Sequence, residues 1–175
     1  MSDAGGFRQA MRCLAGAVTI VATRSGDQRS GLTATAVCSF SLTPPRLLAC
    51  VNVQGTTFRL IASSRCMSVN VLARSQETLA RRFAGLLGSI SDERFEHVEW
   101  CQLVTGAPVL KSALAGFDCS VDEMFVAQTH AIVIGEVKQV LIGTAEPPLL
   151  YLDGRFTTIA DMGHPAHGTA SESAS

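Results

Sequence analysis

The sequence predicts a mainly β protein, a barrel carrying a few short helices on its outside. Three observations lead there. About seven apolar runs of strand length follow one another along the 175 residues, separated by Gly, Pro, Asp and Ser. The helical patterns between them are short and lack the regular alternation with strands that a doubly wound sheet requires. Neither G-x-G-x-x-G nor G-x-x-x-x-G-K-[ST] occurs, so the sequence carries no Rossmann or P-loop nucleotide signature.

The elements follow in order. Phe7, Met11 and Leu14 fall at i, i+4 and i+7 and predict a short amphipathic helix with one buried stripe, ending near Gly16. Ala17 to Thr23 reads as a strand, and Gly26-Asp27 as the turn that makes it a hairpin with the next. The stretch from Gly31 to Asn52 organises the rest. Thr33, Thr35, Val37 and Ser39 alternate with Leu32, Ala34, Ala36 and Cys38, as on one strand with a hydroxyl face and an apolar face. Pro44-Pro45 stops that strand, and Leu47 to Val53 resumes as a buried one. Small residues and hydroxyls admit the close approach of a flat, polar-edged ligand, although a Thr-lined face is more often simply solvated.

Gln54 to Thr57 reads as the cap of a helix over Phe58 to Ser63, with a Thr hydroxyl accepting from its first-turn amides. Such a start is a candidate anion site. Met67 to Leu72 is a further strand. A second helix opens at Ser75, carries Arg81-Arg82, the most basic spot in the chain, and ends at Gly85. Gly88 to Arg94 reads as a surface excursion, followed by apolar pieces at Glu99 to Val104 and Leu110 to Leu114. Strands are then predicted over Ala115 to Val121, His130 to Val140 and Leu149 to Leu152. From residue 161 the Ser/Ala/Glu-rich end reads as a flexible tail, leaving one domain over residues 1–160.

Composition narrows the function classes. The net charge is −1, with no basic run and no aromatic residues interleaved with Lys or Arg, which argues against nucleic acid. No apolar run of membrane-spanning length and no signal peptide are read, so the expectation is a cytoplasmic protein without membrane attachment. Charged residues make up only 17% and mean hydropathy is +0.27, which predicts apolar surface for a homodimer to bury. The six cysteines form no C-x-x-C pair and read as small core residues rather than zinc ligands or disulfides. His164 and His167 lie in the tail without carboxylate partners, so no metal site is expected. His130, at the head of an apolar strand, is the one histidine in a structured context. Asp118, Asp122 and Glu123 make no clear acid/base pair.

Six short motifs nonetheless occur in order: GLTATAVCS from Gly31 before the Pro-Pro break, CVN ending at Asn52, RFAG ending at Gly85, Phe117-Asp118, Thr129-His130, and LYLDGR ending at Arg155. Together they resemble the short-chain NAD(P)H:flavin oxidoreductases, the reductase components of two-component flavin monooxygenases, over nearly the whole of Phe7 to Ile159. The resemblance implies an FMN-binding split β-barrel, a homodimer, and FMN or FAD near the dimer interface. By it, Thr33, Ala34, Thr35, Ala36, Val37, Cys38 and Ser39 line the isoalloxazine and ribityl chain. Asn52, Thr56 and Thr57 contact the chain or phosphate, and Phe83, Ala84 and Gly85 close the other side. His130 lies beside the nicotinamide of NADH or NADPH, with Tyr151 and Arg155 approaching the same pocket. Gln128 stands where the family often has Gly before Thr-His.

The implied reaction is hydride transfer from NAD(P)H to flavin, chemistry that needs two stacked rings and excluded water rather than an acid/base pair. Reduced flavin would then leave for a separate monooxygenase component. The rival reading is a non-catalytic flavin- or haem-binding split-barrel electron carrier. A pyridoxamine-phosphate oxidase type of enzyme would want more basic residues for its phosphate.

Overall fold

A computed structural model describes residues 3–88 and 92–159. The elements are α1 (Ala4–Met11), β1 (Gly16–Ala17), β2 (Thr19–Ser25), β3 (Gln28–Ala34), β4 (Val37–Leu42), β5 (Pro45–Asn52), α2 (Thr56–Ser64), β6 (Cys66–Val71), α3 (Glu77–Phe83), β7 (Trp100–Gln102), β8 (Pro108–Leu110), β9 (Ala115–Ala127), β10 (His130–Ile142), β11 (Leu150–Leu152) and β12 (Arg155–Thr157). Single 3-10 turns occupy Arg74–Gln76 and Glu93–Phe95. Seven strands form one antiparallel sheet in the order β3-β2-β6-β9-β10-β5-β4.

Thr35 and Ala36 dictate its shape. They are the whole connection between β3 and β4, which are the two edges of the sheet. Six inter-strand spacings laid flat would set those edges about 29 Å apart, whereas the three peptide steps from Ala34 to Val37 reach at most about 11 Å. The sheet must therefore roll up until its edges meet. The edges meet without pairing to each other, which leaves a seam: the barrel is split along β3 and β4.

Inside the barrel pack Val21, Ala49, Val51, Met67, Val69, Ala131 and Val133. A second core lies outside β2, where Ile20, Ala22, Leu79, Phe83, Phe95 and Leu110 meet. Because successive side chains of β2 face opposite ways, Val21 serves the first core while Ile20 and Ala22 serve the second. The strand is thus buried on both faces over its first five residues, Thr19 to Thr23. Phe83, from the last turn of α3, meets Phe95 edge-on with centroids 5.0 Å apart and lies 5.8 Å from Trp100. Gly31 makes room for it: a Cβ there would stand 2.7 Å from the Phe83 ring.

Four expectations are corrected. The predicted single strand through Thr33 to Ser39 is two strands broken at Thr35-Ala36, and the faces switch across the break. Leu32, Ala34 and Val37 all pack on the barrel core, while Ala36 and Cys38 are exposed. Helix α1 forms, capped by Asp3, whose carboxylate accepts from the amides of Gly5 and Gly6. Its stripe is not buried, however; Phe7 is 65% and Leu14 63% exposed. Helix α2 is capped by Gly55 and not by a Thr hydroxyl, because the hydroxyl of Thr57 is buried against that of Ser30, 2.9 Å away. The segment from Ser75 begins as a 3-10 turn, in which the Gln76 side chain accepts from the Ala73 amide at 2.9 Å, before α3 proper. The predicted tail from residue 161, with His164 and His167, lies outside the described residues, as do positions 89–91 of the predicted surface excursion.

Candidate functional site

Where β3 reaches the seam, a cleft of about 440 Å³ opens between the end of that strand, the end of α3 and the β11–β12 hairpin, within the size range of small-molecule sites. Its floor is Val18 and Ala34, one wall is Thr33, Thr35, Ala84 and Leu86, and the other is Tyr151, Gly154, Arg155 and Phe156, with Arg81 at the edge. Each wall has a local cause. Thr33 and Thr35 stand at the end of β3 where the chain leaves the sheet, and the hydroxyl of Thr33 donates to the Ala80 carbonyl at 2.6 Å, tying that strand to α3. Ala84 follows Phe83, whose burial fixes the end of α3. Asp153 and Gly154, both with positive φ, turn β11 into β12. The turn presents Tyr151 and Phe156 as a cross-strand aromatic pair, 5.2 Å apart and steeply inclined. Pairing of Tyr151 with Gly16 of β1 then docks the hairpin beside Thr35.

Two guanidinium groups give the cleft its charge. Arg81 donates to Glu77 Oε1 at 2.7 and 3.0 Å and lies over the Phe156 ring, 4.9 Å from its centroid. Hydrogen bonds from Arg81, then from Arg74, hold the Glu77 carboxyl below its ordinary pKa. Glu77 thus stays ionised and keeps Arg81 in place. Arg155 pairs with Asp153 at 3.0 Å in an exposed position. Among the described residues, the titratable ones lining the cleft are Arg81, Tyr151 and Arg155. This arrangement suits holding a flat, anionic molecule rather than moving a proton.

A second group of the predicted residues gathers at the end of β5. His130 is the direct cross-strand partner of Asn52. Both side chains point out of the barrel, since Val51 and Ala131 beside them point in. Thr129 Oγ1 lies 3.0 Å from His130 Nδ1, and the Asn52 side chain accepts from the Gln54 amide at 2.9 Å. Thr56 opens α2 just beyond, with its hydroxyl accepting from Arg59 at 3.1 Å. Gln128, at the first position of the two-residue turn between β9 and β10, has φ +55°, a conformation that favours glycine. The seam links the two groups: Thr35 lines the cleft, and the carbonyl of its neighbour Ala36 accepts from the Cys50 amide at 3.0 Å, two residues before Asn52.

Of the predicted residues, Thr33, Ala34, Thr35, Ala84, Tyr151 and Arg155 therefore share the cleft, and Asn52, Thr56 and His130 share the rim. Ala36, in the connection, and Cys38, on β4, are exposed. Within one chain His130 does not line the cleft that holds Tyr151 and Arg155. Phe83 and Thr57 are buried, 1% and 4% exposed, so they shape the site from beneath instead of touching a ligand. Val37 is packed on the barrel core, and neither Ser39 nor Gly85 lines the cleft. Sequence reasoning missed Arg81, Leu86 and Phe156 as cleft residues. Arg81 stood out as half of the basic pair, but only the fold sets it above Phe156.

A family model for the flavin reductase-like domain matches residues 11–160. The chain is 37% identical over 150 residues to the 4-hydroxyphenylacetate 3-monooxygenase reductase component of Salmonella typhimurium, covering 86% of this chain and 88% of that protein. It is 38% identical over 158 residues to the FMN reductase (NADH) RutF of Variovorax paradoxus, covering 90% and 87%. Among solved structures, the NADH:FAD oxidoreductase SgcE6 of Streptomyces globisporus, in complex with NAD and FAD fragments, superposes with a TM-score of 0.82 at 29% identity, covering 93% of this chain and 96% of that one. The split seven-stranded barrel, the charged cleft at its seam and the match over nearly all of the described residues agree: this chain belongs to the flavin reductase-like domain family.

Proposed function

We propose that this chain is an NADH-dependent flavin reductase that supplies reduced flavin to a separate monooxygenase component. The observation that carries the reading is the seam cleft, where two guanidinium groups and an aromatic pair face a wall of small residues and threonines in a chain of this family. Relatives above 35% identity are named as monooxygenase reductase components and as NADH-dependent FMN reductases, which supports NADH as reductant.

The residues fit a flavin. Ala34, Ala36 and Cys38 leave the backbone open to a flat ring, and the first-turn amides of α2 carry no side-chain cap that would compete with an anionic tail. Thr33 to Ala36 would hold the ring, and Asn52 and Thr56 the polar chain beyond it. When bound, flavin and NADH themselves supply the hydride transfer. The chain's work is to bind both, orient them and exclude water. His130 is assigned to the nicotinamide carboxamide or ribose, and Arg81 and Arg155 to anionic groups in the cleft. The exposed Phe40 and Leu42 of β4, Phe125 of β9 and Ile132 of β10, Leu42 at 87%, are the surface we assign to a homodimer.

NADH consumption at 340 nm with free FMN or FAD, under air, tests the reading; tight flavin binding without turnover would replace it with the electron-carrier reading. In the same assay His130→Ala is expected to raise the KM for NADH about tenfold, as for one lost charge-free contact plus misorientation, with flavin KM retained. Unchanged kinetics would remove His130 from the site.

A further inference from the structure

The turn that joins β9 to β10 ends in two side chains that bond to each other: Thr129 Oγ1 lies 3.0 Å from His130 Nδ1. The fold holds both residues in place for that contact. The Thr129 carbonyl accepts from the Val53 amide at 3.1 Å, and His130 is paired with Asn52 of β5 on one side and with Ala127 of β9 on the other. Threonine is stiff at χ1, so a fixed backbone leaves its hydroxyl few places to stand. Asn52 does not compete for the ring, because its side-chain oxygen is taken by the Gln54 amide at 2.9 Å. Among the described residues Thr129 is therefore the hydrogen-bond partner of the His130 ring, on Nδ1, and Nε2 is left without one on an exposed residue.

We propose that Thr129 is a positioning residue: its hydroxyl donates a hydrogen bond to Nδ1 and so holds neutral His130 as the Nε2–H tautomer, with a donor presented at the rim. The proposal rests on the reductase reading above and deepens it, by assigning which nitrogen of His130 carries the proton and what sets it. A neutral imidazole has one donor and one acceptor nitrogen, and the bond made at one decides what the other offers. A pyridine-type ring nitrogen is a stronger acceptor than an alcohol oxygen, so the bond is better made with the hydroxyl as donor. Asn52 agrees with that sense. With its oxygen occupied, its free end is the Nδ2 amide, also a donor. The two cross-strand neighbours then form an edge of donors, which suits oxygen atoms that only accept, such as those of a carboxamide carbonyl or a phosphate. The reverse sense would put a bare acceptor at Nε2 and turn such an oxygen away.

The test joins nuclear magnetic resonance to a double-variant cycle. In isotope-labelled protein at about pH 8.5, above the range in which an ordinary imidazole titrates, long-range proton–nitrogen correlations identify the tautomer, and the His130 signals are those lost in His130→Ala. In wild type Nδ1 should be the unprotonated nitrogen. In Thr129→Val, which keeps the β-branched shape and loses the hydroxyl, the two tautomers should mix. At saturating FMN, Thr129→Val is expected to raise the NADH KM about fivefold, the scale of one neutral hydrogen bond. Thr129→Ser restores the hydroxyl and should lie within about twofold of wild type. In the His130→Ala background Thr129→Val should shift the NADH KM by less than about twofold, because a residue that acts through the ring then has nothing to act on. An Nδ1–H tautomer in wild type, a tautomer or NADH KM that Thr129→Val leaves unmoved, or an effect that survives in the His130→Ala background would each overturn the role. Absence of flavin-dependent NADH oxidation by wild type would instead overturn the reductase reading, and the resonance measurement would still decide the tautomer.

Discussion

Gly31→Ala puts the positioning of the cleft to a quantitative test. A Cβ at position 31 would stand 2.7 and 3.0 Å from two atoms of the Phe83 ring and 3.1 Å from the Val21 carbonyl oxygen. Ordinary contact begins near 3.5 Å, so the ring must withdraw by about 0.8 Å. It has nowhere to go: Phe83 is 1% exposed and held between Phe95 and Trp100, and the Val21 carbonyl belongs to the backbone of β2. Overpacking of this kind costs about 1–3 kcal/mol, which at this chain length lowers Tm by about 4–8 °C for a cost of about 2 kcal/mol. Because Phe83 precedes Ala84 and closes the helix that carries Arg81, the displacement should also raise the NADH or flavin KM while leaving the strands intact. Phe83→Leu alone should destabilise by about 1–2 kcal/mol through lost ring contacts, yet in the Gly31→Ala background it removes the clash. The double variant should therefore be more stable than the sum of the singles predicts. Thermal melts of the four proteins decide the matter. Gly31→Ala melting within a degree of wild type, or a strictly additive double variant, would refute this account of how α3 is placed.

Two further outcomes follow from the backbone and from burial. Gln128 adopts φ +55° in the turn before His130, so Gln128→Gly should stabilise the chain by about 1 kcal/mol, raising Tm by a few degrees; a lower Tm would show that the Gln128 side chain contributes more than its backbone strain costs. Burial first, and the charge of Asp118 second, push the Cys119 thiol up to about 12. The unfolded chain loses that proton from about pH 9 while the folded chain keeps it, so stability should decline between pH 9 and 12 by on the order of 1 kcal/mol per pH unit. Alkylation of the native protein at pH 8, read by mass spectrometry, should mark exposed Cys13 and Cys38 and spare Cys119; its labelling without unfolding would contradict the burial argument.

Most strands of the large sheet were legible because apolar runs of their length have few other uses, whereas β12 was not read and β9 runs six residues past its predicted end at Val121, through the polar Asp122 and Glu123. The break at Thr35-Ala36 was not legible. The alternation of small and hydroxyl residues runs straight through it, and nothing local marks the point where β3 leaves one edge of the sheet and β4 joins the other. Closure of the barrel sets that point, and closure depends on pairings of β5 with β10 and of β2 with β6 that lie far apart in sequence. The α2 cap failed for a related reason. Thr and Gly are about equally good caps locally, and packing of α2 against β3 decides between them by taking the Thr57 hydroxyl for Ser30 and leaving Gly55 to begin the helix.

The site divides along the same line. Periodicity alone left the hydroxyl row open between a ligand face and a solvated one, and the motifs, through resemblance, supplied the residues of the seam. What neither could supply is the pairing of elements that turns those residues into a cleft. Arg81 acquires its place only because Glu77 anchors it one turn back and Phe156, seventy-five positions later, lies beneath it. Tyr151 and Phe156 face each other only because Asp153 and Gly154 turn the chain. The separation of His130 from that cleft has the same origin, since its strand pairs with Asn52 at the far end of β5. A ligand that meets Thr35 and Asn52 must therefore run along the split between β3 and β4, past the Ala36 carbonyl.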